Sequence, residues 1–160
     1  MDKPTVYIET SIVSYLAARP SRDPVTARNQ RLTHEWWNTH RHRDALFTSR
    51  LTLEEAEQGD PAMAARRVAL LMPIPLLRVE SFDLLLARSL ERQIPLPPQA
   101  RDDAVHIAAA ATRGMAYLLT WDSKHIANPR LESRMRVILL AHGYPAPVLC
   151  TPRDLMEDGS

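Results

Sequence analysis

The chain carries a single cysteine, Cys150. That excludes an internal disulfide and any cysteine-based zinc site. Glycine is scarce as well, at 4 residues against 13 prolines, so turns are expected to be built mainly on proline. No apolar run approaches the ~20 residues that a bilayer-spanning helix needs. The N-terminal Met1-Asp2-Lys3-Pro4 leads straight into Thr5-Val6-Tyr7-Ile8, without the apolar core of about 7–15 residues that marks a signal peptide. These absences lead to the expectation of a soluble, cytoplasmic protein with no membrane partner. Neither sign of charge dominates: the formal net charge is +1, which argues neither for nor against nucleic acid. A P-loop and a G-x-G-x-x-G sequence are both missing, which speaks against a nucleotide-binding enzyme. There is no internal repeat and no low-complexity tract.

What is present is one domain's worth of chain. The 160 residues are 45% hydrophobic and 24% charged, near the globular average, and are read as a single domain over 1–160 with its core over about 5–150. Lysine occurs only at 3 and 124, and the other 18 cations are arginine. Arginine forks suit phosphates, although a GC-rich coding sequence gives the same skew.

Short apolar runs alternate with helical patterns. Thr5 to Ile8, Ala45 to Thr48, Tyr117 to Thr120 and Pro147 to Cys150 read as buried strands, and Ile74 to Val79 as extended chain. Helices are expected over about Val25–Thr39, Thr52–Gln58, Pro61–Leu71, Ser81–Gln93, Gln99–Arg113 and Leu131–His142. Ser11 is the expected N-cap of a further helix over Ile12 to Leu16, and Ser81 of its own helix. Gly114 is the expected stop of the alanine-rich helix. Strands of continuous apolar residues separated by helices predict an α/β fold, a short parallel sheet of four or five strands flanked by helices in three α/β/α layers.

Ligands of such sheets sit beyond the carboxyl ends of the strands. There the sequence places acids. Glu9 ends the first strand, Glu54 and Glu55 follow Thr48-Ser49, Asp122 follows Thr120-Trp121, and Asp102-Asp103 open the alanine-rich helix. Two like charges ~4 Å apart repel by about 4 kcal/mol at an effective dielectric of 20, so a cluster of them calls for a cation. Hard oxygen ligands suit Mg²⁺ or Mn²⁺, and ions held this way serve phosphoryl transfer. Acids in a first helical turn also simply complement the macrodipole, and that reading stays open for Glu54, Glu55, Asp102 and Asp103.

Val6-Tyr7-Ile8-Glu9-Thr10-Ser11, Thr48-Ser49 with Glu55, Asp103-Ala104-Val105-His106-Ile107-Ala108 and Leu118-Leu119-Thr120-Trp121-Asp122 resemble the four motifs of a PIN domain. More narrowly, the chain is similar to the VapC-type toxins of type II toxin–antitoxin systems, over roughly Thr5 to Cys150. The resemblance implies a PIN-like fold and a ribonuclease that uses one or two Mg²⁺ or Mn²⁺ ions to activate water against RNA phosphodiesters. It implies Glu9, Glu55, Asp103 and Asp122 as catalytic and metal-holding acids. Ser11, and Thr120 beside the last acid, are the candidate supporting hydroxyls. The resemblance also implies an RNA substrate, a small antitoxin partner and a homodimer. Glu54 and Asp102 each lie ~100° around a helix from their neighbours and are expected to face elsewhere.

This sequence departs from the family at its first acid, where Glu9 stands in place of aspartate. The added methylene shifts the carboxylate by about 1.5 Å, and a 1 Å misplacement can cost about a hundredfold in rate. The alternative reading is therefore a degenerate PIN-like module that binds RNA or a protein without cutting. A phosphatase or receiver domain is disfavoured, since the first strand offers no aspartate nucleophile. Arg19, Arg22 and Lys124, in loops after strand-end elements, are the candidate RNA phosphate contacts. His106 is read first as a hydrogen-bonded core residue, and His125 as structural, with a phosphate contact as its alternative. Of the adjacent Trp36 and Trp37, one is expected to pack inside and the other to serve an interface or stack on a base. Trp121 is expected to pack near the acids.

Overall fold

A computed structural model of the chain describes residues 2–94, 101–122 and 129–158. Gln99 and Ala100, the start of the expected Gln99–Arg113 helix, and Lys124 and His125 lie outside the described residues. The elements run β1 (Thr5–Ile8), α1 (Thr10–Ala17), α2 (Pro24–Thr39), a 3₁₀ turn (Arg41–Arg43), β2 (Ala45–Ser49), α3 (Arg50–Ala56), α4 (Pro61–Leu71), β3 (Leu76–Leu77), α5 (Ser81–Gln93), α6 (Arg101–Thr112), β4 (Tyr117–Leu119), α7 (Pro129–Ala141), β5 (Val148–Cys150) and α8 (Pro152–Asp158). The expected α/β architecture is present: one all-parallel sheet of five strands in the order β3-β2-β1-β4-β5, with helices on both faces.

Side-chain alternation along each strand divides the interior in two. Tyr7, Leu118 and Leu149 point to one face, where α5, α6 and α7 close over them. Val6, Ile8, Leu119 and Cys150 point to the other, against Ile12, Val13 and Leu16 of α1, Trp36 of α2, Ala56 of α3, Leu71 of α4 and Leu155 of α8. Alanines 104 and 108–111 of α6 are all buried. Their small side chains let that helix lie close against α5 and the sheet. Gly114 ends α6 at φ +67°, a left-handed conformation that glycine adopts without strain. The Met115 N–H then returns to the Ala110 carbonyl at 3.0 Å and closes the helix end.

Two expected caps are corrected. The N-cap of α1 is Glu9, whose side chain accepts from the Ser11 N–H, and the helix starts before Ser11. The N-cap of α5 is Glu80, with Ser81 already inside the helix. There the Asp83 carboxylate reaches back to the Glu80 N–H at 2.8 Å, the return half of a capping box. In both places a glutamate, two residues before Ser11 and one before Ser81, holds the position that the smaller hydroxyl residue was expected to take. The extended run at Ile74–Val79 contributes only Leu76–Leu77 to the sheet. It lies at the sheet edge, and Pro73 and Pro75 lack the N–H needed for a longer ladder. The C-terminal segment is helical, as α8.

Candidate active site

The central strand sets the site. The Glu9 N–H continues the β1 ladder to the Leu119 carbonyl at 3.1 Å. On the other side, Thr48 Oγ1 donates to the Ile8 carbonyl at 2.9 Å, and Thr52 Oγ1 does so at 3.3 Å. The end of β1 is thus held from β4, β2 and the first turn of α3 together.

Glu9 is buried, and one of its oxygens takes three donors. Oε1 accepts from Ser11 N at 3.0 Å, Ser11 Oγ at 2.5 Å and Thr120 Oγ1 at 2.7 Å. Ser11 Oγ also accepts from the Trp121 N–H at 2.9 Å, and Thr120 Oγ1 from the Asp122 N–H at 3.0 Å. Ser11 and Thr120 therefore fasten Glu9 to the turn that carries Asp122. Trp121 closes this corner: its ring stacks on Tyr15 with centroids 5.9 Å apart, and its Nε1 donates to Thr33 Oγ1 at 2.7 Å.

Asp103 enters from the first turn of α6. It is 8% exposed, and its Oδ2 is buried with no hydrogen-bond partner. Burial, the adjacent Asp122 carboxyl that shares a hydrogen bond with it, and the charge of Glu9 push its pKa from 3.8 up to about 8. A carboxyl in that state keeps its proton at neutral pH, because burial and its acidic neighbours outweigh the opposing charge of His106.

Glu55 completes the group from α3. Thr10 Oγ1 donates to its Oε1 at 2.6 Å, and His106 Nε2 lies 2.7 Å from the same oxygen. Burial works to raise the Glu55 pKa, but the bond to His106, its charge, and the contacts with Thr10 and Asp102 outweigh it, so the net shift is downward and Glu55 stays ionised. His106 is 1% exposed. Its Nδ1 meets the Tyr7 hydroxyl at 2.6 Å, and that hydroxyl lies 2.7 Å from Ser49 Oγ. Burial opposes the imidazolium, but Tyr7, Glu55 and Glu9 together raise the His106 pKa well above 6.5. Ligand atoms of Glu9, Glu55 and His106 lie within 4.8 Å of one another, close enough to surround one ion.

The four expected acids therefore fall into two groups that share Glu9. Glu9 and Asp122 face Asp103, and Glu55 and Glu9 both act on His106. Glu54 is exposed. Asp102 is exposed too, yet its side chain reaches Glu55, a contact that the helical-wheel argument missed. The Tyr7–His106–Glu55 chain goes beyond the sequence expectation, which makes His106 a hydrogen-bonded core residue but identifies neither Tyr7 nor Glu55 as its partner. The available signal was spacing, since His106 sits one helical turn after Asp103 and Tyr7 two strand positions before Glu9.

Arg19 and Arg22 are not part of this group. Both are exposed in the loop after α1, whose eight residues carry that loop about 12 Å from the helix N-terminus. Trp36 is fully buried. Trp37 packs partly against the same core, and the Arg41 guanidinium sits 4.3 Å over its ring, so that face is already covered.

The donor set fits a hard divalent cation. The carboxylates of Glu9 and Glu55 lie with His106 within reach of one ion, and beside Glu9 the Asp103 Oδ2 is buried without a hydrogen-bond partner. Among the described residues no helix is long and apolar enough to cross a membrane. The chain matches no known family model. No curated protein matches it either.

Proposed function

We propose that the protein is a metal-dependent endoribonuclease of the PIN class, similar to the VapC-type toxins. The observation that carries this reading is the unpartnered, buried Oδ2 of Asp103 beside Glu9 and Asp122, with Glu55 on the other side of Glu9. Glu9, Glu55, Asp103 and Asp122 would hold Mg²⁺ or Mn²⁺. Bound there, such a cation would supply a lowered pKa for water and a counter-charge for a phosphodiester. The protein's own part is to keep that group aligned. Ser11 and Thr120 fix Glu9 and the Asp122 turn. Thr10 and His106 fix Glu55. Asp103 gives up its proton when a cation arrives, because a cation offsets the repulsion that keeps it protonated. RNA is the proposed substrate, and the resemblance adds a small antitoxin and a second copy of the chain as proposed partners.

A second reading has one observation in its favour. Three donors saturate Glu9 Oε1 and hold that carboxylate as the cap of α1. A module that binds RNA or a protein without cutting would retain such an arrangement. The deciding experiment is cleavage of a mixed RNA pool by purified protein in Mn²⁺, Mg²⁺ or EDTA, with Asp103→Asn as the contamination control. Cutting that needs the metal and vanishes in the variant supports the nuclease. A folded, partner-free protein that does not cut supports the binding module.

A further inference from the structure

The geometry points to Tyr7 and His106 as a buried positioning pair that sets the Glu55 carboxylate for its cation, with neither residue touching cation or substrate. This rests on the proposed metal site and adds to it the residues that tune it. Glu55 lies on a short helix and is partly exposed, whereas Glu9 and Asp103 are buried. What restrains it is the convergence of Thr10 Oγ1 and His106 Nε2 on Oε1, at 2.6 and 2.7 Å. His106 cannot swing away. Its other nitrogen is bonded to the Tyr7 hydroxyl, which in turn is 2.7 Å from Ser49 Oγ, the N-cap of the helix that carries Glu55. The chain of contacts thus leaves α6, crosses β1 and returns to the start of α3.

The direction of the Glu55 bond does not depend on the charge of His106. An ionised carboxylate only accepts, so Nε2 carries the hydrogen in either state. A neutral ring then accepts from the Tyr7 O–H at Nδ1, and a charged ring donates to the Tyr7 oxygen, whose own hydrogen turns to Ser49. With both nitrogens engaged and the ring buried, His106 acts as an orienting donor rather than a ligand. Groups of this kind, one bond removed from a metal, typically change affinity or activity 10–100-fold when removed, roughly the scale expected here.

The test is Mn²⁺ binding by calorimetry on wild type, His106→Leu, His106→Gln and Tyr7→Phe, each checked for folding by circular dichroism, with Asp103→Asn as the negative control. A leucine removes the donor. A glutamine keeps an N–H near the Nε2 position. A phenylalanine keeps the volume and removes only the hydroxyl that anchors the ring. The expected result is a loss of roughly 10–100-fold in Mn²⁺ affinity for His106→Leu, recovery to about threefold of wild type in His106→Gln, and a loss of about tenfold in Tyr7→Phe. Should His106→Leu fail to fold, Tyr7→Phe and His106→Gln decide alone. Folded Leu and Phe variants that bind Mn²⁺ as wild type does would overturn the positioning role, as would a glutamine variant as weak as leucine. Wild-type protein that binds no Mn²⁺ removes the metal site itself, a different failure that the wild-type titration shows by itself.

Discussion

Asp103 and Glu9 separate two demands on a single carboxylate. Asp103 pays for its position in stability: its folded pKa stands at about 8 against 3.8 for an ordinary aspartate. Across that window the unfolded chain binds fewer protons than the folded one. Cation-free protein therefore loses stability as pH rises from about 4 to about 8. Asp103→Asn has no such loss. In EDTA it is expected to be more stable than wild type at pH 8 by about 1–2 kcal/mol, which is about 2–8 °C in Tm for a chain of this size. The difference should close near pH 4. Melting curves at the two pH values check this, and a variant that melts at or below wild type at pH 8 contradicts it. Glu9 behaves differently because its Oε1 caps α1. Glu9→Gln keeps an oxygen for the same three donors and removes the charge. Its stability should stay within about 0.5 kcal/mol of wild type, while metal-dependent RNA cleavage is lost. A fall in Tm together with retained cleavage would reverse both assignments.

At the scale of elements, local signals in the sequence carried most of the fold. Pro61–Leu71 and Ser81–Gln93 are helical over the residues that periodicity and proline placement indicated, and β1 spans Thr5–Ile8 as its β-branched run suggests. The expectations that failed depend on reach or on neighbours. Glu9 and Glu80 cap helices that Ser11 and Ser81 were expected to cap, because the distant Thr120 hydroxyl holds the Glu9 carboxylate in place and Asp83 reaches back to the Glu80 N–H. The clamp between α5 and α6 was invisible for a related reason. Asp83, fully buried, accepts from Thr112 Oγ1 at 2.5 Å and pairs with Arg113 at 3.2 Å. No periodicity marks a buried aspartate whose partners lie about thirty residues away. That clamp gives an ordered prediction. Arg113→Met leaves the Asp83 charge buried without its cation and should cost about 3 kcal/mol. Asp83→Asn leaves a partly exposed arginine that water can solvate and should cost less, about 1–2 kcal/mol. Urea unfolding measures both, and the reverse order would mean that Arg113 contributes packing rather than charge compensation.

The candidate site belongs to the whole molecule. Its four acids come from positions 9, 55, 103 and 122, carried by four separate segments that only the parallel order β3-β2-β1-β4-β5 brings to one edge. The sequence showed Glu9, Asp103 and Asp122 because each lies just past a strand or in a first helical turn, and Glu55 because of its spacing from Ser49. It did not show the cross-links among them, because Tyr7 to His106 and Ser11 to Trp121 span 99 and 110 residues. A cation held by such a set cannot be released by opening one helix or loop, so its binding energy adds to the stability of the entire fold. At a hundred times its Kd, Mn²⁺ should stabilise the protein by about 2.7 kcal/mol, or about 5–11 °C in Tm. Slow amide exchange should become slower together in β1, β4 and α6 rather than around one acid alone. Protection confined to α3, with Tm unchanged, would mean that the ion engages Glu55 locally and that the four carboxylates do not act as one site.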